Sequence, residues 1–289
     1  MNLPLANPGC VTVLDYLVLK FPFIAEGIWR QRLIDGKVHW LSGELIDSST
    51  LYVPQGCVCY YREVEQEPVI PFEENIIFQD EHIVVACKPH FLQVTPGGNF
   101  VDECLQNRLR RKTGNDALQA LNRLDRETAG LVLFSVNPET RSCYHALFEH
   151  HNITKTYQAL ARVGVEEMPR KHWVIKNRLE KSNPRFVMHI VSGVDNAHSV
   201  IDCVDQRAGK GLFELSPVTG KTHQLRVHMA SIGYPIMNDK VYPFLTPKSD
   251  DDFSKPLQLL AKKLMFIDPI TQEERVFYSD RSLLSIESG

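Results

Sequence analysis

The sequence has no long apolar run, no regular cysteine pattern and no overall excess of positive charge. No stretch approaches the roughly 18 continuous apolar residues that a membrane span requires. The first ten residues, MNLPLANPGC, lack the basic flank and apolar run of a secretion signal. These absences argue against membrane insertion and secretion. We therefore expect a globular protein of the cytoplasm with no membrane partner.

The seven cysteines do not suggest disulfides or a metal site. Their odd number and scattered positions indicate reduced thiols. Zinc ligands usually come as C-x-x-C pairs or as histidines at helical spacing. Here Cys57 and Cys59 are separated by one residue, and His223 and His228 would lie about 140° apart around a helix. We expect no metal.

The charge is unevenly distributed along the 289 residues. A net charge of −3 argues against indiscriminate nucleic-acid binding, because affinity for the phosphate backbone comes chiefly from Lys and Arg. Residues 101–248 nevertheless carry 21 Lys and Arg against 15 Asp and Glu, while the rest of the chain is acidic. The middle of the chain is therefore the part suited to a polyanion.

The chain length fits about two domains, and the pattern of the first 66 residues differs from that of the remainder. Apolar residues at helical spacing predict two helices, the second ending at Gly36, and three short strand candidates follow. This order predicts a small helix-helix-hairpin domain over residues 1–66. The acidic, proline-containing segment 63–74 indicates a solvated linker into a second domain, 67–289.

The second domain mixes strand-like and helix-like segments, which predicts an α+β fold on a largely antiparallel mixed sheet. One helix is expected from Asn137, as N-cap with Pro138 at the first position, to about His150. The strand that follows carries Lys155 and Tyr157 on one face.

Three segments of this domain carry side chains suited to chemistry. Asp125, in NRLDRETAG, lies in a polar loop before an apolar strand, where an Asp is most often a turn former. In LSPVTGKTHQLRVH, a phosphate-binding loop is excluded because the Gly required five residues before Gly220 is Leu215. Arg226 would lie on the opposite helical face from Leu225, open either to a site or to solvent.

Together the segments resemble the RluA-type RNA pseudouridine synthases over roughly residues 75–280. The family's aspartate motif, HRLDxxTSG, is similar to NRLDRETAG, and its LxPxTGRTHQIRVH is similar to LSPVTGKTHQLRVH. Three further blocks follow the family order, IIFQDEHIVVACKPHFLQVTPGG, KTY and LLAKKLMFIDP. The chain departs from the family pattern at Asn122, Ala129 and Asp268.

The resemblance implies a pseudouridine synthase catalytic domain that isomerises uridine in structured RNA, either rRNA or tRNA. It also implies a monomer, and no cofactor, because isomerisation needs neither oxidant nor energy source. The catalytic residues would be Asp125, Tyr157 against the uracil, and Arg226, which would keep the buried carboxylate ionised. The substrate-binding residues would be Arg123, Lys155, Leu225 and Lys88. The N-terminal domain would be a divergent form of the small RNA-binding domain found in some family members.

Two other functions remain open on the sequence. Asn122 and the acidic flanks favour an RNA-binding paralogue that has lost turnover. The shared bond chemistry suggests a nucleoside glycosidase, although the sequence offers no obvious second catalytic acid beside NRLD. The basic run Arg108, Arg110, Arg111 and Lys112 offers either an RNA contact or a solvated helix face.

Overall fold

The computed structural model describes residues 1–61, 67–98, 100–247 and 249–284. The chain divides into two compact units, Met1–Glu65 and Gln66–Gly289. The boundary expected between residues 66 and 67 touches residues 62–66, which lie outside the described ranges, so it stays a prediction. No helix within those ranges has the length and apolar character needed to cross a bilayer.

The N-terminal unit has the two helices and the hairpin that its sequence pattern predicts. Helix α1 (Val13–Lys20) begins in a capping box between Thr12 and Asp15, and α2 (Glu26–Ile34) precedes the left-handed Gly36. Strands β1 (Val38–Trp40) and β2 (Val58–Tyr60) pair antiparallel. The third strand candidate, 51–53, contributes only a single bridge.

The basic side chains of the N-terminal unit are mostly committed to contacts within it. Arg30 pairs with Glu26, and Lys37 pairs with Asp35. Arg32 is buried, with its guanidinium 5.1 Å from the centre of the Trp29 ring. The RNA-binding role implied for this unit stays a prediction, and paired charges give it little support.

The second unit is built on a large mixed sheet, as its sequence predicts. The order of the main strands is β3-β4-β6-β12-β7-β11-β10-β8-β9, with β5 paired to β6 and β13 paired to β12. Among the described strands only β6 and β12 pair in parallel. The strands are β3 (Asn75–Gln79), β4 (Ile83–Lys88), β5 (Gln119–Ala120), β6 (Ala129–Ser135), β7 (Ile153–Arg162), β8 (His172–Lys181), β9 (Met188–Val191), β10 (Ala197–Arg207), β11 (Lys210–Pro217), β12 (Leu259–Ile267) and β13 (Glu274–Tyr278).

The described residues of this unit also form three helices, α3 (Leu105–Thr113), α4 (Arg141–Glu149) and α5 (Gln224–Ser231). The expected start of α4 at Pro138 was wrong. The side chain of Asn137 accepts the backbone N–H of Glu139 and makes a turn, so Thr140 is the N-cap.

The interpretation of 63–74 as a solvated linker was also wrong for its described part. Ile70 packs in the core beside α3, and Glu74 is buried under Arg108 and Lys112. Arg108 also binds Glu103 and the carbonyl oxygen of Ile70. Much of the basic charge of α3 is therefore neutralised within the fold and is not available as a strip for RNA.

A close backbone crossing brings β6, β12 and β7 together at the centre of the sheet. Ala261 of β12 pairs with Gly130 of β6 on one side and with Tyr157 of β7 on the other. Gly130 has φ +113°, and a Cβ there would lie 2.2 Å from the carbonyl oxygen of Ala261. Only glycine fits this crossing. The loop with Asp125 enters β6 immediately before it, which places that loop close to Tyr157.

Candidate active site

Asp125 lies in a cleft of about 690 Å³ that continues into a narrower recess of about 100 Å³. Both spaces are lined by residues of the Asp125 loop, of β7 and of the segment before α5. The lining residues shared by the two are Arg123, Leu124, Asp125, Lys155, Tyr157, Gly220 and Lys221. Three segments that are distant in the sequence thus meet around one carboxylate.

Hydrogen bonds from Lys88 and His90 hold the backbone of the Asp125 loop. The Lys88 ammonium donates to the carbonyl oxygens of Pro89, Leu92 and Arg126 at 3.0, 2.6 and 3.0 Å. The imidazole of His90 donates from Nδ1 to the carbonyl oxygen of Glu127 at 2.6 Å. These bonds fix the backbone directly after Asp125.

The structure contradicts the prediction that Lys88 contacts the substrate. Its side chain has no exposed surface, and its three N–H donors all point at backbone oxygens. Burial lowers the pKa of Lys88 to about 7, whereas three carbonyl acceptors favour the ammonium form, because a neutral amine has only two donors. Lys88 supports the loop and is out of reach of RNA.

Arg226 reaches Asp125, as predicted, but its stronger partner is Asp239. Arg226 donates from Nε and Nη2 to the two oxygens of Asp239 at 2.8 and 2.7 Å, a bidentate pair. Its Nη1 lies 3.4 Å from Oδ2 of Asp125. The guanidinium is 2% exposed, so the possibility that it is solvated on a helix surface is excluded. Asp239 and Asp125 raise the pKa of Arg226 despite its burial, which keeps it charged.

His223 is a second polar side chain beside Asp125. It is the N-cap of α5, in the left-handed conformation with φ 52°, and its Nε2 lies 3.8 Å from Oδ2 of Asp125. Burial lowers the pKa of His223, so the imidazole is neutral near pH 7. Its Nδ1 lies 3.0 Å from the hydroxyl of Tyr242.

Tyr157 and Lys155 line the cleft from β7, side by side on the face that strand alternation predicts. Burial and the charge of Asp125 raise the pKa of Tyr157, so its hydroxyl stays protonated. Burial lowers the pKa of Lys155. In the described part of the chain neither Lys155 nor the exposed Arg123 has an acidic partner.

Leu225 lines the narrower recess and packs into the core, as expected for a pocket wall. Asn122, the departure from the family motif, accepts the backbone N–H of Leu133 at 2.8 Å through its side chain. It thereby ties the start of the Asp125 loop to β6. Asp268, the third departure, is buried against Tyr144 and is absent from the lining of the cleft.

The profile of one protein family, described as RNA pseudouridylate synthase, matches residues 82–231, a range that contains Asp125, Tyr157 and Arg226. The chain belongs to this family. The chain is also similar in sequence to individual pseudouridine synthases. It is 30% identical to the dual-specificity RNA pseudouridine synthase RluA of Pasteurella multocida, over 69% of this chain and 89% of that protein.

Two further relatives differ in how much of their length corresponds to this chain. The mitochondrial tRNA pseudouridine(32) synthase of Saccharomyces cerevisiae is 26% identical over 80% of this chain, but the match spans only 50% of that protein. The solved structure of human RNA pseudouridylate synthase domain containing 1 superposes with a TM-score of 0.59 at 20% identity. It covers 76% of this chain and 94% of the human one, and supports the fold.

Three residues around Asp125 were not predicted from the sequence, namely His223, Asp239 and Tyr242. Asp239 and Tyr242 lie in GYPIMNDKVYP, after α5, a segment without the charge density or spacing that marks a site. Helical spacing predicts that His223 shares a face with Arg226, opposite Leu225, but no role was predicted for His223. That shared face was the available signal.

Proposed function

We propose that this chain converts uridine to pseudouridine in structured RNA, tRNA or rRNA, with Asp125 as the catalytic carboxylate. The observation that carries the proposal is the arrangement at Asp125. Both of its side-chain contacts, from Arg226 and His223, reach Oδ2. Oδ1 has no hydrogen-bond partner among the described residues, so it is free to face a ribose in the cleft.

The reaction breaks the bond from N1 of uracil to C1′ and forms a bond from C5 to C1′. The C5 proton leaves and N1 gains a proton, so the product is an isomer. A free carboxylate oxygen at C1′ can stabilise the developing positive charge, trap it covalently or remove the C2′ proton. Arg226 places a positive charge 3.4 Å from the other oxygen of this carboxylate.

Tyr157 would stack on the uracil and Leu225 would close the recess behind it, which favours an unpaired or flipped base. Arg123 and Lys155, together with Lys221, would contact phosphates at the mouth of the cleft. The relatives named as tRNA and dual-specificity RNA enzymes support tRNA or rRNA as substrate. A monomeric state and a cytoplasmic location stay predictions from the sequence.

The test is tritium release from RNA labelled at uracil C5. The wild-type protein should release tritium, and Asp125→Asn should lower the rate by about three orders of magnitude, because the amide cannot act as a nucleophile or a base. The matched control is Asp116→Asn, an exposed aspartate away from the cleft, which should keep full activity.

Two results would count against the proposal. Asp125→Asn with wild-type activity would exclude the carboxylate, and wild-type protein inactive on RNA from cells lacking the gene would favour the RNA-binding paralogue. Free uracil among the products would instead favour glycosidase chemistry.

A further inference from the structure

Two donors that reach the same oxygen of Asp125 are both held by one short segment, residues 239–242. Arg226 and His223 approach Oδ2 of Asp125 from α5 and its N-cap, at 3.4 and 3.8 Å. Neither contact is short enough to fix its donor by itself. Something else must set the orientation of both side chains.

Asp239 fixes the plane of the Arg226 guanidinium. Its side chain is completely buried and accepts four hydrogen bonds, two from Arg226 and two from the backbone N–H groups of Val241 and Tyr242. A carboxylate with four donors has a single orientation. With Nε and Nη2 bound to Asp239, Arg226 has only Nη1 to present to Asp125.

Tyr242 contacts the other ring nitrogen of His223. Its hydroxyl accepts the backbone N–H of Met188 at 2.8 Å and lies 3.0 Å from Nδ1 of His223. When the hydroxyl donates to Nδ1, the imidazole carries its proton on Nε2, where it faces Oδ2 of Asp125. The other tautomer would turn a lone pair towards the carboxylate. The Tyr242 ring also lies 5.5 Å from the Arg226 guanidinium.

We infer that Asp239 and Tyr242 are positioning residues of the active site, which hold Arg226 and His223 on one oxygen of Asp125 and leave the other for the ribose. The inference rests on the proposed function and deepens it. Residues 239–242 thereby determine which oxygen of Asp125 reacts, although they contribute no atom to the reaction.

The first test is Asp239→Asn. The amide keeps one acceptor but turns an N–H₂ group towards the guanidinium, so Arg226 loses its bidentate hold and moves relative to Asp125. We expect kcat for tritium release to fall by roughly 10- to 100-fold, because small misplacements in an active site have effects of this size. KM for RNA should stay within about twofold, since no phosphate contact changes. Asp239→Glu, which retains the charge, should recover part of the loss.

The second test is Tyr242→Phe, which keeps the ring beside Arg226 and removes only the hydroxyl. Loss of one hydrogen bond to the active site predicts a fall in kcat of roughly 3- to 10-fold with KM unchanged. In ¹⁵N NMR spectra the wild-type His223 should show the Nε2–H tautomer, and in Tyr242→Phe this preference should weaken. A purely structural tyrosine would not affect the tautomer.

The fold offers a matched pair of controls, Asp268→Asn and Tyr144→Phe. Asp268 is equally buried and accepts from Tyr144 and from the backbone N–H groups of Ile270 and Thr271, outside the lining of the cleft. These variants should lose stability without a selective loss of kcat. If Asp239→Asn does not fold, the kcat and the His223 tautomer of Tyr242→Phe test the positioning role alone.

Failure of this inference can be separated from failure of the proposed function. Wild-type protein that releases no tritium from RNA would refute the function itself. Active wild-type protein with unchanged kcat in both Asp239→Asn and Tyr242→Phe, or with losses equal to those of the controls, would overturn only the positioning role.

Discussion

At the scale of single residues, His90 makes the support of the Asp125 loop dependent on pH. Its Nδ1 donates to the carbonyl oxygen of Glu127, and burial lowers its pKa to about 4. The unfolded chain takes up a proton near pH 6.5, whereas the folded chain does not. Stability due to this residue is therefore complete above pH 6.5 and is lost as the pH falls from 6.5 towards 4.

We expect the free energy of unfolding to fall by up to about 2 kcal/mol between pH 7 and pH 5 because of His90 alone. In His90→Asn the amide can still donate to Glu127 but does not titrate, so the loss over this pH range should shrink. Urea unfolding at pH 7 and pH 5 measures this difference in the free energy of unfolding. His145→Asn, at an exposed position, should leave the pH dependence unchanged. Equal pH dependence in wild type and His90→Asn would contradict the assignment.

Some residues around Asp125 could be predicted from the sequence and others could not. Asp125, Tyr157 and Arg226 meet in the cleft as the motifs indicated, because each lies in a segment with a family counterpart. The family resemblance implied that Lys88 binds substrate, and its burial against three carbonyl oxygens could not be read from its neighbours. Asp239 was missed because its function depends on a contact across 13 residues of chain, with no local signature.

At the scale of elements, the crossing of β6 and β12 sets the position of the Asp125 loop. Gly130→Ala would place a methyl group 2.2 Å from the carbonyl oxygen of Ala261 at φ +113°. Strain and overpacking should together cost roughly 3 kcal/mol in unfolding free energy. Differential scanning calorimetry should show a melting temperature several degrees lower.

The control for this element is Gly164→Ala, where the nearest atom to an added Cβ is 3.9 Å away and φ is not positive. It should change the melting temperature little. A Gly130→Ala protein as stable as this control would show that the two strands can separate without cost.

Strand and helix patterns predicted the sheet well but not the ends of its helices. Alternation placed Lys155 and Tyr157 on one face of β7, where both line the cleft. The expected helix start at Pro138 was wrong because Asn137 forms its own side-chain turn, which competes with capping. For α5, apolar spacing predicts one packed face and a second face open either to a site or to solvent. Residues Gln224–Met229 are instead all buried, since the helix packs on the sheet with its polar side chains paired inside the unit.

At the scale of the whole molecule, the net charge of −3 conceals a local excess of positive charge at the cleft. Arg123, Lys155 and Lys221 line it and have no acidic partner among the described residues. In the N-terminal unit Lys20 is the one described basic side chain that is neither paired nor buried. RNA affinity should therefore come from the cleft of the catalytic unit.

Salt dependence of binding tests this distribution. Each phosphate contact contributes roughly 0.7–0.9 to the slope of log Kd against log salt concentration. In an Asp125→Asn background, which prevents turnover, Lys155→Ala and Lys221→Ala should each weaken binding of total tRNA and reduce that slope by about this amount. Lys20→Ala should change neither quantity. If Lys20→Ala reduced the slope as much as Lys155→Ala, the N-terminal unit would also bind RNA. The prediction that the RNA contacts lie at the cleft would then be wrong.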